Sequence, residues 1–98
     1  MDALSSLTAA TFRDRVGDRF ATGPDGPQLE LAEVVEHPQH AVPGSGRTPF
    51  VLLFRGPGDR PLAQGTQPLR HAELGDLALF LVPVGSGPDG MRYEAVFS

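Results

Sequence analysis

Glycine and proline interrupt this chain so often that a long helix has nowhere to form. Twelve Gly and ten Pro occur in 98 residues. They set a turn signal about every ten residues, the spacing of short strands in small sandwiches and barrels. Proline removes a backbone donor and glycine relaxes φ, so the apolar runs between them read as strands. The runs fall at 19–22, 28–36, 49–55, 65–71, 77–84 and 91–97. No helical pattern separates them, so parallel βαβ units are not expected and antiparallel pairing is. Gly23-Pro24-Asp25-Gly26 recurs as Gly87-Pro88-Asp89-Gly90, which predicts two similar tight turns.

One helix is predicted, over 8–17, after a flexible N-terminus at 1–7. Thr8 suits the N-cap, and Leu7 and Phe12 hold the positions of a hydrophobic staple. Ala9, Phe12 and Val16 share one helical face, and Gly17 offers a left-handed stop. Such a helix is too short to persist alone, so its apolar stripe must pack on the strands. The expected fold is therefore mainly β (α+β): a small antiparallel β-barrel or roll of about six strands. The chain forms one domain over 1–98, with antiparallel β structure over 19–98.

The strands differ in what they bury. Met91, Tyr93, Ala95 and Phe97 alternate with Arg92, Glu94 and Val96, which predicts one buried face. Phe50–Phe54 and Leu77–Val82 are apolar on both faces, so their outer faces need a cover. In 28–36, Leu29 and Leu31 point one way and Ala32 and Val34 the other, which predicts a β-bulge near Leu31. Pro68 marks its strand as an edge or a bulged position.

Composition excludes several functions. Cysteine is absent, so disulfides, thiolate metal sites and catalytic thiols are impossible. The net charge is −4 and no lysine occurs, which excludes a lysine phosphate loop and gives no basic footprint for nucleic acid. The eight arginines are spread along the chain with no run of them. No signal peptide or membrane-length apolar run is present, so no membrane partner and a cytoplasmic location are expected. His37 and His40 lie around Pro38 in a loop, and two loop ligands without a third do not make a metal site. No metal and no cofactor are expected.

His71 could serve as a base near neutral pH, with Asp76 or Tyr93 beside it. No nucleophile is evident nearby, and a ring nitrogen bonded to turn backbone near Gly75 or Asp76 is the plainer expectation. The stretch Arg55-Gly56-Pro57-Gly58-Asp59-Arg60-Pro61 reads either as a recognition loop on a rigid scaffold or as a hairpin loop with a local Arg–Asp pair. Candidate interaction residues are Arg55, Asp59, Arg60, Gln64 and His71; no catalytic set emerges.

The order of motifs resembles an uncharacterised bacterial domain family of unknown function. The likeness is carried by Pro49-Phe50-x-Leu52-Leu53-Phe54-Arg55-Gly56-Pro57 and Pro61-Leu62-x-Gln64-Gly65-Thr66. It continues through Leu69-x-His71-x-x-Leu74-Gly75-x-Leu77, Leu79-Phe80-Leu81-Val82-Pro83-Val84 and Tyr93-Glu94-Ala95-Val96-Phe97, with Leu7-Thr8-x-x-x-Phe12 at the start. Gln67 and Pro68 depart from the family pattern. The resemblance implies a structural or accessory role, in the setting of a phage-tail-like assembly. The function expected is a non-catalytic protein-interaction module that self-associates or docks on a larger protein. The alternatives are a small-ligand-binding β-barrel and a small enzyme using His71.

Overall fold

A computed structural model describes residues 7–23, 25–40, 43–44, 48–88 and 90–97. The tail at 1–6, Pro24 and Asp89 of the two repeated turns, and the side chain of His40 lie outside the described residues. The elements are a helix α1 (Ala9–Arg13) and strands β1 (Arg19–Ala21), β2 (Gln28–Glu36), β3 (Phe50–Gly56), β4 (Gly65–His71), β5 (Gly75–Gly87) and β6 (Gly90–Phe97). All six strands stand where the sequence places them. They form one antiparallel ring in the order β1-β2-β3-β6-β5-β4, a barrel-like roll.

The helix is shorter than expected. It ends at Arg13, with Asp14 as its C-cap. The chain then turns so that Gly17 N–H donates to the Leu31 carbonyl at 2.8 Å and Leu31 N–H donates to the Asp18 carbonyl at 3.0 Å. Those two bonds tie the turn to β2 and leave no room for further helical turns. Val16 therefore lies past the helix and is 49% exposed, not part of its buried face. Gly17 has φ +95°, the left-handed conformation expected of a glycine stop. At the other end Thr8 N–H donates to the Thr11 hydroxyl at 3.2 Å. Leu7, expected in a flexible tail, packs on the core.

α1 seals one end of the ring. Phe12 is fully buried and lies 6.1 Å from Phe50 and 5.8 Å from Phe97, centroid to centroid. Phe50 and Phe97, paired across β3 and β6, stack at 4.5 Å. The interior is filled by inward residues of every strand, among them Phe20, Leu29, Leu31, Leu52, Phe54, Leu69, Leu81 and Tyr93. A ring of this size is filled by side chains.

The predicted bulge is present. The β2–β3 register shifts between Leu31 and Glu33, so Leu31 and Val34 both turn toward the core side. β5 extends beyond the expected run at both ends. Its first part pairs with β4 down to Gly75, and its last part pairs with β6 up to Gly87. Those end positions are glycine, aspartate and serine, so an apolar pattern could not reveal them.

The connection from β3 to β4 is not a hairpin. β3 lies between β2 and β6, while β4 lies between β5 and β1, so residues 57–64 must cross to the far side of the ring. Leu62, part-buried against the core, is fixed there by its N–H, which donates to the Tyr93 hydroxyl at 2.8 Å. Tyr93 is 1% exposed, and truncating its hydroxyl leaves the Leu62 N–H without that acceptor. Tyr93→Phe is expected to cost about 1 kcal/mol. Urea denaturation checks this, with faster exchange of the Leu62 amide as the local signature.

The ring closes weakly. β1 and β4 share one register pair, Ala21↔Arg70. Pro68 faces Ala78 of β5 but has no N–H, so its backbone must point to the β1 side. That places Arg70 and Pro68 as successive rungs toward β1, and Pro68 cannot donate to the second. The predicted edge character of Pro68 thus takes the form of a seam that stops after one rung.

Candidate functional site

Three of the residues that surround one surface pocket come from different strands and from the crossing connection. The pocket, about 610 Å³, is lined by Arg19, Gly26, Pro27, Gln28, Glu30, Arg55, Gly56, Pro57 and Arg60. Strand register explains the convergence. Arg19 pairs with Glu30, Glu30 with Arg55, and Arg55 with Arg92. Cross-strand partners project on the same face, so one outward row runs Arg19–Glu30–Arg55–Arg92 across β1, β2, β3 and β6. The arginines that look scattered along the chain are thereby gathered: three stand in one row, with Arg60 at its end. Adjacent strands lie about 4.8 Å apart, so the row is roughly 15 Å long.

Each contact within the row is modest. Arg55 Nη2 lies 3.8 Å from Glu30 Oε1. The Arg60 guanidinium donates to the Asp25 carbonyl, which ties the crossing connection to the β1–β2 turn. These two longer-range contacts join the stretch to β2 and to the β1–β2 turn. Arg55 and Arg92 face each other directly, and like charges so placed destabilise a sheet. Glu30 on one side of Arg55, and Glu33 and Glu94 one row away, partly offset that cost.

Of the expected interaction residues, Arg55 and Arg60 line this pocket. Asp59 is exposed in the connection and Gln64 is exposed just before β4, and neither lines it. His71 belongs to a different place. It is 4% exposed, packed 4.7 Å from the Phe20 ring. Its Nδ1 accepts the N–H of Glu73 at 3.0 Å and of Leu74 at 3.1 Å. Two donors on Nδ1 require its lone pair, so the ring proton sits on Nε2, which donates to Asp18 Oδ2 at 2.8 Å. Backbone bonding was the expected arrangement, at Glu73 and Leu74 in place of Gly75 or Asp76. Both nitrogens are committed, and the partners suggested for a catalytic role are elsewhere. Asp76 pairs with Arg70 at 2.8 Å, and Tyr93 with Leu62. The Arg70 hydrogen bond, then its charge, holds the Asp76 carboxyl below its ordinary range. That contribution is present above the unfolded carboxyl's range and is lost as pH falls through the lower folded value. Both groups are fully exposed, so screening keeps it small.

Among the described residues, no group of three or more His, Asp and Glu is placed to hold a metal ion. His37 is followed by a single 3-10 turn at Pro38–His40, and its Nδ1 meets Gln39 Nε2 at 3.4 Å. No described helix is long and apolar enough to cross a membrane.

Beyond the Glu33–Leu53–Glu94 row that follows the arginine row, the outer face turns apolar. Val51 pairs with Val35 and with Val96, one row across β2, β3 and β6. Val96 is 64% exposed, and on β5 Phe80 is 52% exposed and Val84 47%. Of the two strands read as apolar on both faces, β3 has half-buried outer residues and β5 an exposed Phe80.

The architecture is thus a six-stranded antiparallel roll, one end sealed by a short helix and the other crossed by an arginine-bearing connection. The chain belongs to the family described as Domain of unknown function (DUF6916), which matches residues 7–97. This agrees with the resemblance read from its motifs. No curated protein and no solved structure matches it.

Proposed function

We propose that this domain is a non-catalytic protein-interaction module that works through the outer face of β2, β3, β6 and β5. The carrying observation is the apolar row Val35–Val51–Val96, together with Phe80 on β5, the strand next to β6; Val96 and Phe80 are more than half exposed. Large apolar side chains in a continuous exposed patch mark interaction surfaces. The committed nitrogens of His71 argue against the enzyme reading, and the filled interior of the ring argues against an internal ligand. A structural accessory role in a multi-copy assembly, such as the phage-tail-like setting that the family resemblance suggests, supplies a use for such a face.

Isolated in solution, the face meets other copies of itself. Sedimentation equilibrium is therefore expected to show a weight-average mass that rises with concentration. Val96→Glu and Phe80→Glu, both at exposed positions, are expected to remain monomeric with unchanged circular dichroism. Identical behaviour of wild type and both variants would count against the reading.

A further inference from the structure

The arginine row says what kind of partner the module takes. Resting on the reading above, we infer that the pocket bordered by Arg19, Arg55 and Arg60, extended by Arg92, binds a carboxylate-rich extended segment of a partner polypeptide. The pocket lining carries three guanidinium groups against the single carboxylate of Glu30, in a chain whose net charge is −4. Positive charge is therefore concentrated where the whole molecule is negative. The row places Arg92 directly opposite Arg55, which carries the positive face from the pocket on to β6.

Geometry favours an extended chain. The row is roughly 15 Å long, about the reach of five extended residues, whose alternate side chains stand about 7 Å apart on one side. A guanidinium offers paired donors that match a carboxylate. Gly26 and Gly56, which line the pocket with Pro27, Gln28 and Pro57, leave room for a backbone to approach. Glu33 and Glu94 lie one row further along β2 and β6. They flank the row along one side, so the positive strip is a single row wide.

The test is fluorescence anisotropy with a labelled peptide of alternating Glu and Thr, against its Gln–Thr counterpart, at low and at physiological salt. The Glu peptide is expected to bind at least about tenfold more tightly than the Gln peptide, the size of one charged hydrogen bond, with the advantage shrinking as salt rises. Arg19→Gln, Arg60→Gln and Arg92→Gln, all at exposed positions, are each expected to weaken binding about tenfold or more. Their circular dichroism and melting curves should match the wild type, which separates lost binding from lost folding. Equal affinity for the two peptides would overturn the proposal, as would affinity unchanged in all three variants. A single-stranded oligonucleotide binding more tightly than the Glu peptide at the same salt would also overturn it. If the wild type associates through Val96 and Phe80 but ignores the Glu peptide, this proposal fails while the interaction module stands. If the peptide binds but the face does not associate, this proposal stands and only the part assigned to Val96 and Phe80 falls.

Discussion

Phe12→Ala is expected to be the most damaging single substitution in the helix and to cost about 3–5 kcal/mol. The reason lies in how little else holds α1. Five residues make barely more than one turn, and an isolated helix of that length is not stable in water. Within it only Ala9 and Phe12 are buried, and the Arg13–Glu36 ion pair is exposed and contributes little. Phe12 therefore supplies most of the attachment, through the Phe50 and Phe97 rings. A domain of this size has a total stability of only about 5–15 kcal/mol. Each kcal/mol moves the melting midpoint by about 4–8 °C, so a fall of roughly 15 °C or more is expected in a thermal melt. Phe12→Leu keeps the end of the ring filled and should cost less than half as much. A fall of only a few degrees for Phe12→Ala would show that α1 does not seal the ring.

The strands were legible because their signals are local. Alternation in Met91–Phe97, the broken alternation around Leu31 and the Gly/Pro punctuation each need only neighbouring residues, and each appears in the fold. Elements whose limits depend on distant contacts were not legible. Val16 continues a helical spacing in sequence, but Gly17 and Leu31 are bonded to β2 and Asp18, and the helix stops short of it. β5 runs on through Gly85, Ser86 and Gly87 because Arg92, Met91 and Gly90 pair with them, not because those residues favour strands.

The candidate site shows the same division. Arg55 and Arg60 stand in one conspicuous Gly/Pro-rich stretch and could be singled out. Arg19 and Arg92 sit in ordinary strand patterns, 36 and 37 positions from Arg55. They join it only through the ring order β1-β2-β3-β6. The signal available for Arg92 was its outward position in a clean alternation. For Asp18, the partner of His71 across 53 positions, no sequence signal existed.

His71→Ala is expected to destabilise the domain by about 3 kcal/mol or more, since it strips acceptors or donors from several groups at once. The N–H groups of Glu73 and Leu74 lose the Nδ1 that both bond, and Asp18 loses the Nε2–H. The Phe20 ring also loses its packed neighbour. These bonds lie beside the seam, where β1 and β4 share only Ala21↔Arg70, so the ladder has no second rung to compensate. His71→Gln keeps an acceptor and a donor on one side chain and should recover part of the loss. Urea denaturation gives the magnitude, and hydrogen exchange should show the Glu73 and Leu74 amides and the β1 amides opening first. Long-range proton–nitrogen correlation spectra of the wild type should place the ring proton on Nε2, as the two donors at Nδ1 demand. A base must offer a lone pair to its substrate, and here the lone pair is held by backbone. Stability unchanged in His71→Ala, or a proton found on Nδ1, would remove this account and return His71 to the list of residues available for chemistry.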